Sequence, residues 1–298
     1  MKIMTYTEIS RIVKQNYLSK LENFKIEKFE DLEKLHNELI NIRTDLHFQY
    51  GFDVQPHYRG EQLYGRDILP GIFRPPFSND VILENARAIE TNGVNIFKER
   101  VIKKYGEKML FNLTADTEHS ENWNLLFQAQ HAGVKTNLID LSTSVHHSAF
   151  FACEPSDKHD EKDAQLWCLL VPSEFIYGYS TKYDKPCYTI LNPFDLQESF
   201  ICNVPTFMDN IDERTYQFRL FRQHGRLFTS SNKDLNIPLN KKEFWENMII
   251  RVKISPEIKK VIFKQLTDSG ISHNKLILED DEEAENFIQL INEDMRKL

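Results

Sequence analysis

Three short stretches of this chain carry side chains that could recognise an anion or support a developing charge. The first is Tyr58-Arg59-Gly60, which follows the apolar alternation of Val54 to Tyr58 and so places Arg59 at the end of a predicted strand. A guanidinium is a planar fork of donors that grips phosphate or carboxylate in two-pronged fashion, and Gly60 lets another group approach the backbone closely. The competing reading is a structural ion pair, since the chain holds 45 acidic residues.

The second stretch runs from Gln130 to Ala152. Gln130 and His131 close a predicted helix before Gly133, where His131 could donate a proton, orient a ligand or cap the last carbonyls. Asp140 lies between Ile139 and Leu141 in a short apolar run that reads as a buried strand, so it needs a partner there, and Arg59 is a natural one. Ser142-Thr143-Ser144 then forms a hydroxyl-rich turn before a helix over Val145 to Ala152. Free N–H groups and hydroxyls at a helix start make an anion seat, although Ser142 or Ser144 can equally serve as a plain cap. In the third stretch Arg219 and Gln223 are four residues apart, hence on one face of a helix, before Gly225 and a strand at Arg226 to Thr229.

Other chemistries are argued against. His146 and His147 are adjacent and point about 100° apart on a helix, and no chelating spacing joins His131, His146, His147 or His224, so no metal is expected. No Gly-rich dinucleotide fingerprint, Walker loop or nucleophile elbow is present. The four cysteines, Cys153, Cys168, Cys187 and Cys202, stand singly among apolar or aromatic residues, as reduced core thiols do. A net charge of -8 opposes broad binding to nucleic-acid phosphates. No run approaches the roughly 18 to 20 apolar residues of a membrane helix. The polar N-terminus is unlike a signal peptide, so no membrane association and a cytoplasmic location are expected.

The elements that must position these residues are legible from periodicity. Helices are expected at Glu8 to Leu21, at Phe29 to His47, at Ser78 to Tyr105 between a Ser78 cap and Gly106, and at Ser120 to Gly133 with Ser120 as cap. Strands are expected at Val54 to Tyr58, Leu138 to Leu141, Gln165 to Val171, Arg226 to Thr229 and Met248 to Ile254. Ser255-Pro256 starts a further helix that Gly270 stops, and a last helix runs from about Glu282 to Arg296, with the acidic run Glu279 to Glu285 at its start.

Taken in order, Tyr58-Arg59-Gly60, Leu69-Pro70 with Phe73-Arg74, Gln130-His131-x-Gly133-x-x-Thr136-x-Leu138-x-Asp140, Ala149-x-Phe151-Ala152 and Arg219-x-x-x-Gln223-x-Gly225-x-Phe228 resemble the FRG domain family. The resemblance divides the chain into an N-terminal helical extension, residues 1–39, and an FRG domain, residues 40–298. The family usually has arginine where this chain has Asn137 and an aromatic where it has Leu141. FRG domains are in turn distantly similar to ADP-ribosyltransferases of the Arg/Ser/Glu type. That similarity implies an α+β fold with a bent, split β-sheet flanked by helices, and NAD as a possible substrate.

By the same resemblance, Tyr58, Arg59, Gly60, Gln130, His131, Ser142, Thr143 and Ser144 would bind the nucleotide, with Arg59, Asp140, Ser142 and Gln223 as catalytic candidates. The third acid of such enzymes is not evident, and Gln223 stands near its place in chain order. The implied function is an NAD-using transferase or NAD-cleaving effector, in toxin or antiphage roles, acting on a macromolecular acceptor. The alternative is a non-catalytic module binding a nucleotide, RNA or a partner protein.

Overall fold

The central strand is β1, Val54–Glu61, and the rest of the fold is arranged around it. The computed structural model describes residues 4–75, 81–106, 118–177, 179–180, 185–186, 190–203, 224–271 and 282–295. Within them lie the helices α1 (Tyr6–Val13), α2 (Glu30–Tyr50), α3 (Leu83–Tyr105), α4 (Ser120–Ala132), α5 (Val145–Cys153), α6 (Pro256–Asp268) and α7 (Glu282–Met295). The strands after β1 are β2 (Ile139–Ser142), β3 (Ala164–Pro172), β4 (Ile176–Tyr177), β5 (Tyr179–Ser180), β6 (Lys185–Pro186), β7 (Phe200–Cys202), β8 (Gly225–Thr229) and β9 (Ile249–Ile254).

Seven strands form one sheet in the order β4-β7-β8-β2-β1-β3-β9, and β5 with β6 makes a separate ribbon. Only β4 and β7 run parallel, so the sheet is mixed and the protein is α+β. β3 is buried at every residue, which explains its unbroken apolar run, because both of its faces are covered. It pairs with β1 from Val54↔Pro172 to Glu61↔Gln165. β1 and β2 share only the register pair Tyr58↔Ser142, so the sheet parts between them beyond that point.

α2 and α5 lie over β1, and α5 packs in turn on α6. The contact at Gly60 is close. A Cβ there would stand 1.9 Å from the Ser148 carbonyl oxygen and 2.8 Å from the Ala152 nitrogen, so the group that approaches this glycine is the backbone of α5. One apolar core joins the N-terminal helices (Val13, Leu18, Leu35, Leu39) to β1, β3, β9 and α5. A second gathers α3, α4, β7 and α7 around Trp123, Phe127 and Phe200.

Most expected elements are found, with local differences. The first helix continues past α1 through a π-helical turn, Lys14–Leu18, and one more turn, Ser19–Leu21. Thr5 caps its start, sharing reciprocal hydrogen bonds with Glu8. Ser78 lies outside the described residues, and α3 begins at Leu83, where Asn85 Oδ1 accepts the Ile82 N–H at 2.9 Å. His119, not Ser120, occupies the cap position of α4. Strands β4 to β7 are two or three residues long, too short to show a period of two. Cys153, Cys168 and Cys202 are buried, Cys153 and Cys168 as free thiols, and burial pushes the Cys153 thiol up to about 12. Cys187 and the residues from Glu279 to Asp281 fall outside the described range. Among the described residues no helix is long and apolar enough to cross a membrane.

Candidate functional site

The cleft opens where β1 and β2 diverge, and the Arg59 side chain bridges the divergence. Its Nη1 donates to the backbone carbonyl of Asp140 at 2.7 Å, while Nε and Nη2 each lie 2.8 Å from Glu61 Oε1. Among the described residues three of the five guanidinium N–H groups are thereby engaged, and two remain. Residues two apart on a strand share a face, so the spacing Arg59-Gly60-Glu61 contained this pair, although the sequence reading did not draw it.

Glu61 is buried, with Arg74 Nη2 a further 3.5 Å from the same oxygen. Burial pushes the Glu61 carboxyl up, but the Arg59 and Arg74 guanidiniums outweigh it and hold it below its ordinary value. The proximity of Arg59, followed by burial, pushes Arg74 down to about 10. Lys135 is lowered by desolvation and by Arg74, against the opposing pull of Asp140. The group Arg59, Arg74 and Lys135 against Glu61 and Asp140 thus carries one net positive charge in a chain whose net charge is -8.

Asp140 departs from the expectation of a buried acid paired with the Arg59 guanidinium. The pattern of β2 is buried, exposed, buried, buried, which turns Asp140 outward into the cleft, so it needs no buried counter-ion. Its partner is Gln130, whose Nε2 donates to Asp140 Oδ2 at 2.9 Å. Gln130 is itself oriented, because its Oε1 accepts from the Thr136 hydroxyl, which in turn accepts the Leu138 N–H at 3.2 Å. Arg59 takes only the main-chain carbonyl of Asp140.

The Ser142-Thr143-Ser144 turn is largely closed by its own hydrogen bonds. Ser142 Oγ accepts the Ser144 N–H at 3.0 Å, Ser144 Oγ caps α5 by accepting the His147 N–H at 3.3 Å, and the Thr143 N–H donates to the His224 carbonyl at 3.1 Å. The Thr143, Ser144 and His147 N–H groups are therefore engaged within the protein. His224 carries a positive φ of 50°, uncommon outside glycine, and its ring lies 5.1 Å from that of His147. Tyr58 is fully buried with its hydroxyl 2.6 Å from His36 Nδ1, and burial raises its phenol far above the ordinary range.

The cleft has a volume of about 260 Å³. Tyr58, Arg59, Gly60, Gln130, His131, Asp140 and Ser142, all singled out from sequence, line it together with Leu141, Ser148 and Phe151. Thr143 and Ser144 do not line it. Arg219 and Gln223 lie outside the described residues. No local pattern marks Glu61 or Lys135 in the sequence, and Arg74 stands out there only through the Phe73-Arg74 motif. Among the described residues no three His, Cys, Asp or Glu side chains are grouped so as to hold a metal ion.

The molecule is thus an α+β protein whose mixed sheet parts at an arginine-bridged, polar cleft. Residues 55–161 match the family model of the FRG domain, and the chain carries an FRG domain over that range. The match includes Arg59, Gln130, Asp140 and the Ser142-Thr143-Ser144 turn, and ends before β3. No curated protein and no solved structure shows significant similarity to the chain.

Proposed function

We propose that the cleft binds a nucleotide-like anion, with NAD as the ligand to which the ADP-ribosyltransferase resemblance points, and that the protein cleaves it or transfers its ADP-ribose to a macromolecule. The observation that carries this reading is the convergence of Arg59 and Asp140 in one cleft, with Arg74 and Lys135 near them outside its lining. The two N–H groups left on Arg59 would meet a phosphate, with Arg74 and Lys135 supplying the surrounding field. A volume of about 260 Å³ is below the roughly 300 to 1,000 Å³ of sites that enclose a drug-sized ligand, so it suits one half of a dinucleotide.

Asp140 would act as the acid that the sequence lacked at Gln223. When the bond between nicotinamide nitrogen and ribose C1′ breaks, the electron pair leaves with nicotinamide, and water or an acceptor nucleophile takes C1′. A carboxylate beside the ribose stabilises the positive charge that develops, and losing such a preorganised group costs about 100-fold or more in rate. Gln130 holds that carboxylate in one orientation. An effector of this kind would act in the cytoplasm, in toxin or antiphage roles.

The second reading, a non-catalytic module that binds a nucleotide, RNA or a partner protein, is favoured by the Glu61 carboxylate, which neutralises much of the Arg59 charge. Two measurements separate the readings: NAD binding by calorimetry and nicotinamide release by chromatography. The transferase reading expects both, with Asp140→Asn reducing release about 100-fold while binding changes by only a few-fold. Arg59→Lys, which keeps charge and loses the fork, should weaken binding about tenfold or more. NAD binding without release, unaltered by Asp140→Asn, would leave the binding-module reading. Absence of NAD binding would end the nucleotide assignment to NAD.

A further inference from the structure

Asp140 is exposed, yet both its main chain and its carboxylate are held. The main chain is fixed by pairing with Leu227 of β8 and by Arg59 Nη1, which donates to its carbonyl at 2.7 Å. At an exposed strand position the side chain would turn freely between rotamers, but Gln130 Nε2 donates to Oδ2 at 2.9 Å. An amide taken alone could present either its nitrogen or its oxygen to that carboxylate, and the oxygen would repel it. A group behind Gln130 must therefore decide which way the amide faces.

That group is Thr136, which is fully buried. A hydroxyl carries one hydrogen, and a backbone N–H can only donate. The Leu138 N–H donates to Thr136 Oγ1 at 3.2 Å, so the hydroxyl hydrogen is left for Gln130 Oε1, and the amide nitrogen is thereby turned toward Asp140. Hydrogen bonds thus run in one direction from a buried backbone amide to the cleft carboxylate, each group giving a hydrogen to the next. The fold anchors the arrangement at two points. Gly133, at a φ of 98°, closes α4 just after Gln130 and turns the chain so that Thr136 returns to it. The Thr136 carbonyl accepts the Ile72 N–H at 3.1 Å, which holds this residue against the segment after β1. Fixing an exposed carboxylate adds little to stability, whereas it matters for a group that must meet a reacting atom in one geometry.

We infer that Thr136 is a positioning residue of the cleft, which acts through Gln130 to hold the Asp140 carboxylate in one rotamer. Oδ2 is then engaged, and Oδ1, which has no bond among the described residues, is left to accept from a ligand hydroxyl or to face a developing positive charge. The task of the carboxylate rests on the function proposed above, but its orientation by Thr136 does not.

Two measurements on the full chain test this. The first is the three-bond Hα–Hβ couplings of Asp140 by NMR, with no ligand present. They are expected to report one rotamer in the parent and in Thr136→Ser, which keeps the hydroxyl, and averaged rotamers in Thr136→Val, which keeps the shape and loses the hydroxyl. Unchanged couplings in Thr136→Val overturn the inference. The second is nicotinamide release from NAD. Thr136→Val is expected to lower kcat about tenfold or more while KM changes by a few-fold at most, and Thr136→Ser to restore most of the rate. In a chain already carrying Asp140→Asn, Thr136→Val should have no further effect. A loss that persists in that background, or that Thr136→Ser shares, assigns Thr136 to the framework and overturns its role in positioning. Should Thr136→Val unfold, Gln130→Leu, which cuts the same path one step later and leaves the bond between Leu138 and Thr136 in place, is read in both ways instead. If the parent releases no nicotinamide, the proposed function fails and the couplings alone decide the inference.

Discussion

Two glutamate–arginine pairs of this protein have nearly the same length and do different work. Arg87 Nη1 lies 2.7 Å from Glu90 Oε2, and Arg59 Nη2 lies 2.8 Å from Glu61 Oε1. The Glu90 pair is saturated by protein. Glu90 is fully buried and also accepts the Asn137 N–H at 2.6 Å and the Asn137 side-chain amide at 2.9 Å, while Arg87 donates to Asn232 and to the Ser230 carbonyl. It ties α3 to the start of β2 and to the segment after β8. The Arg59 pair faces a cleft, has two donors left and stands among further cations. Saturation, more than distance, separates a brace from a site. The cation facing Glu90 comes from α3, while Asn137 supplies two neutral donors.

The comparison breaks most easily at Glu90. Glu90→Ala leaves a buried guanidinium and an Asn137 N–H without their acceptor, and should cost about 3 to 5 kcal/mol of stability in urea unfolding. A loss under about 1 kcal/mol would mean that the brace carries no more than a surface pair.

Glu61→Gln should cost less, about 2 kcal/mol, since a neutral amide still accepts from Arg59. Its signature is in the pH dependence. The Glu61 carboxyl lies lower in the folded chain than the roughly 4.3 of an unfolded glutamate, so the unfolded state binds more protons in acid. Its contribution is complete well above that value and is lost as pH falls through the folded pKa. The melting temperature of Glu61→Gln should therefore fall less steeply than that of the parent below about pH 4.3. Parallel profiles would show that the arginines do not hold this carboxyl down.

The smallest effect on folding is expected at Asp140. Because Asp140 is exposed and, among the described residues, its side chain is bonded only to Gln130, Asp140→Asn should change stability by about 0.5 kcal/mol or less, even where the cleft loses its function. A larger loss would move Asp140 from the site to the framework.

Much of the site was legible because its residues sit on elements with strong local signals. Alternation over Val54 to Tyr58 found the strand, although it runs on to Glu61 and holds Arg59 inside it, paired with Trp167, where a strand end was expected; the helical stripe with Gly133 after it placed Gln130 and His131 at a helix end, and the apolar run before Ser142 placed Asp140 in a strand. Exposure of Asp140 was not legible, because four residues with apolar neighbours read alike whether one face is buried or both. The Ser142-Thr143-Ser144 turn could be placed before α5, yet the Thr143 N–H finds its acceptor on His224, some 80 residues later.

By itself the sequence determined the mixture of helices and strands, the order of the main ones, and the local elements on which Arg59, Asp140 and Gln130 lie, because period, caps and apolar runs act over a few residues. Only the tertiary structure decided which partners those groups take. Gly60 answers to the backbone of α5, Arg59 to Glu61 and to the Asp140 carbonyl, and Arg251 to the rings of Tyr64 and Trp167. Strand order and helix packing bring distant segments within about 3 to 5 Å, and at that range geometry and desolvation, which no local pattern encodes, select the contact.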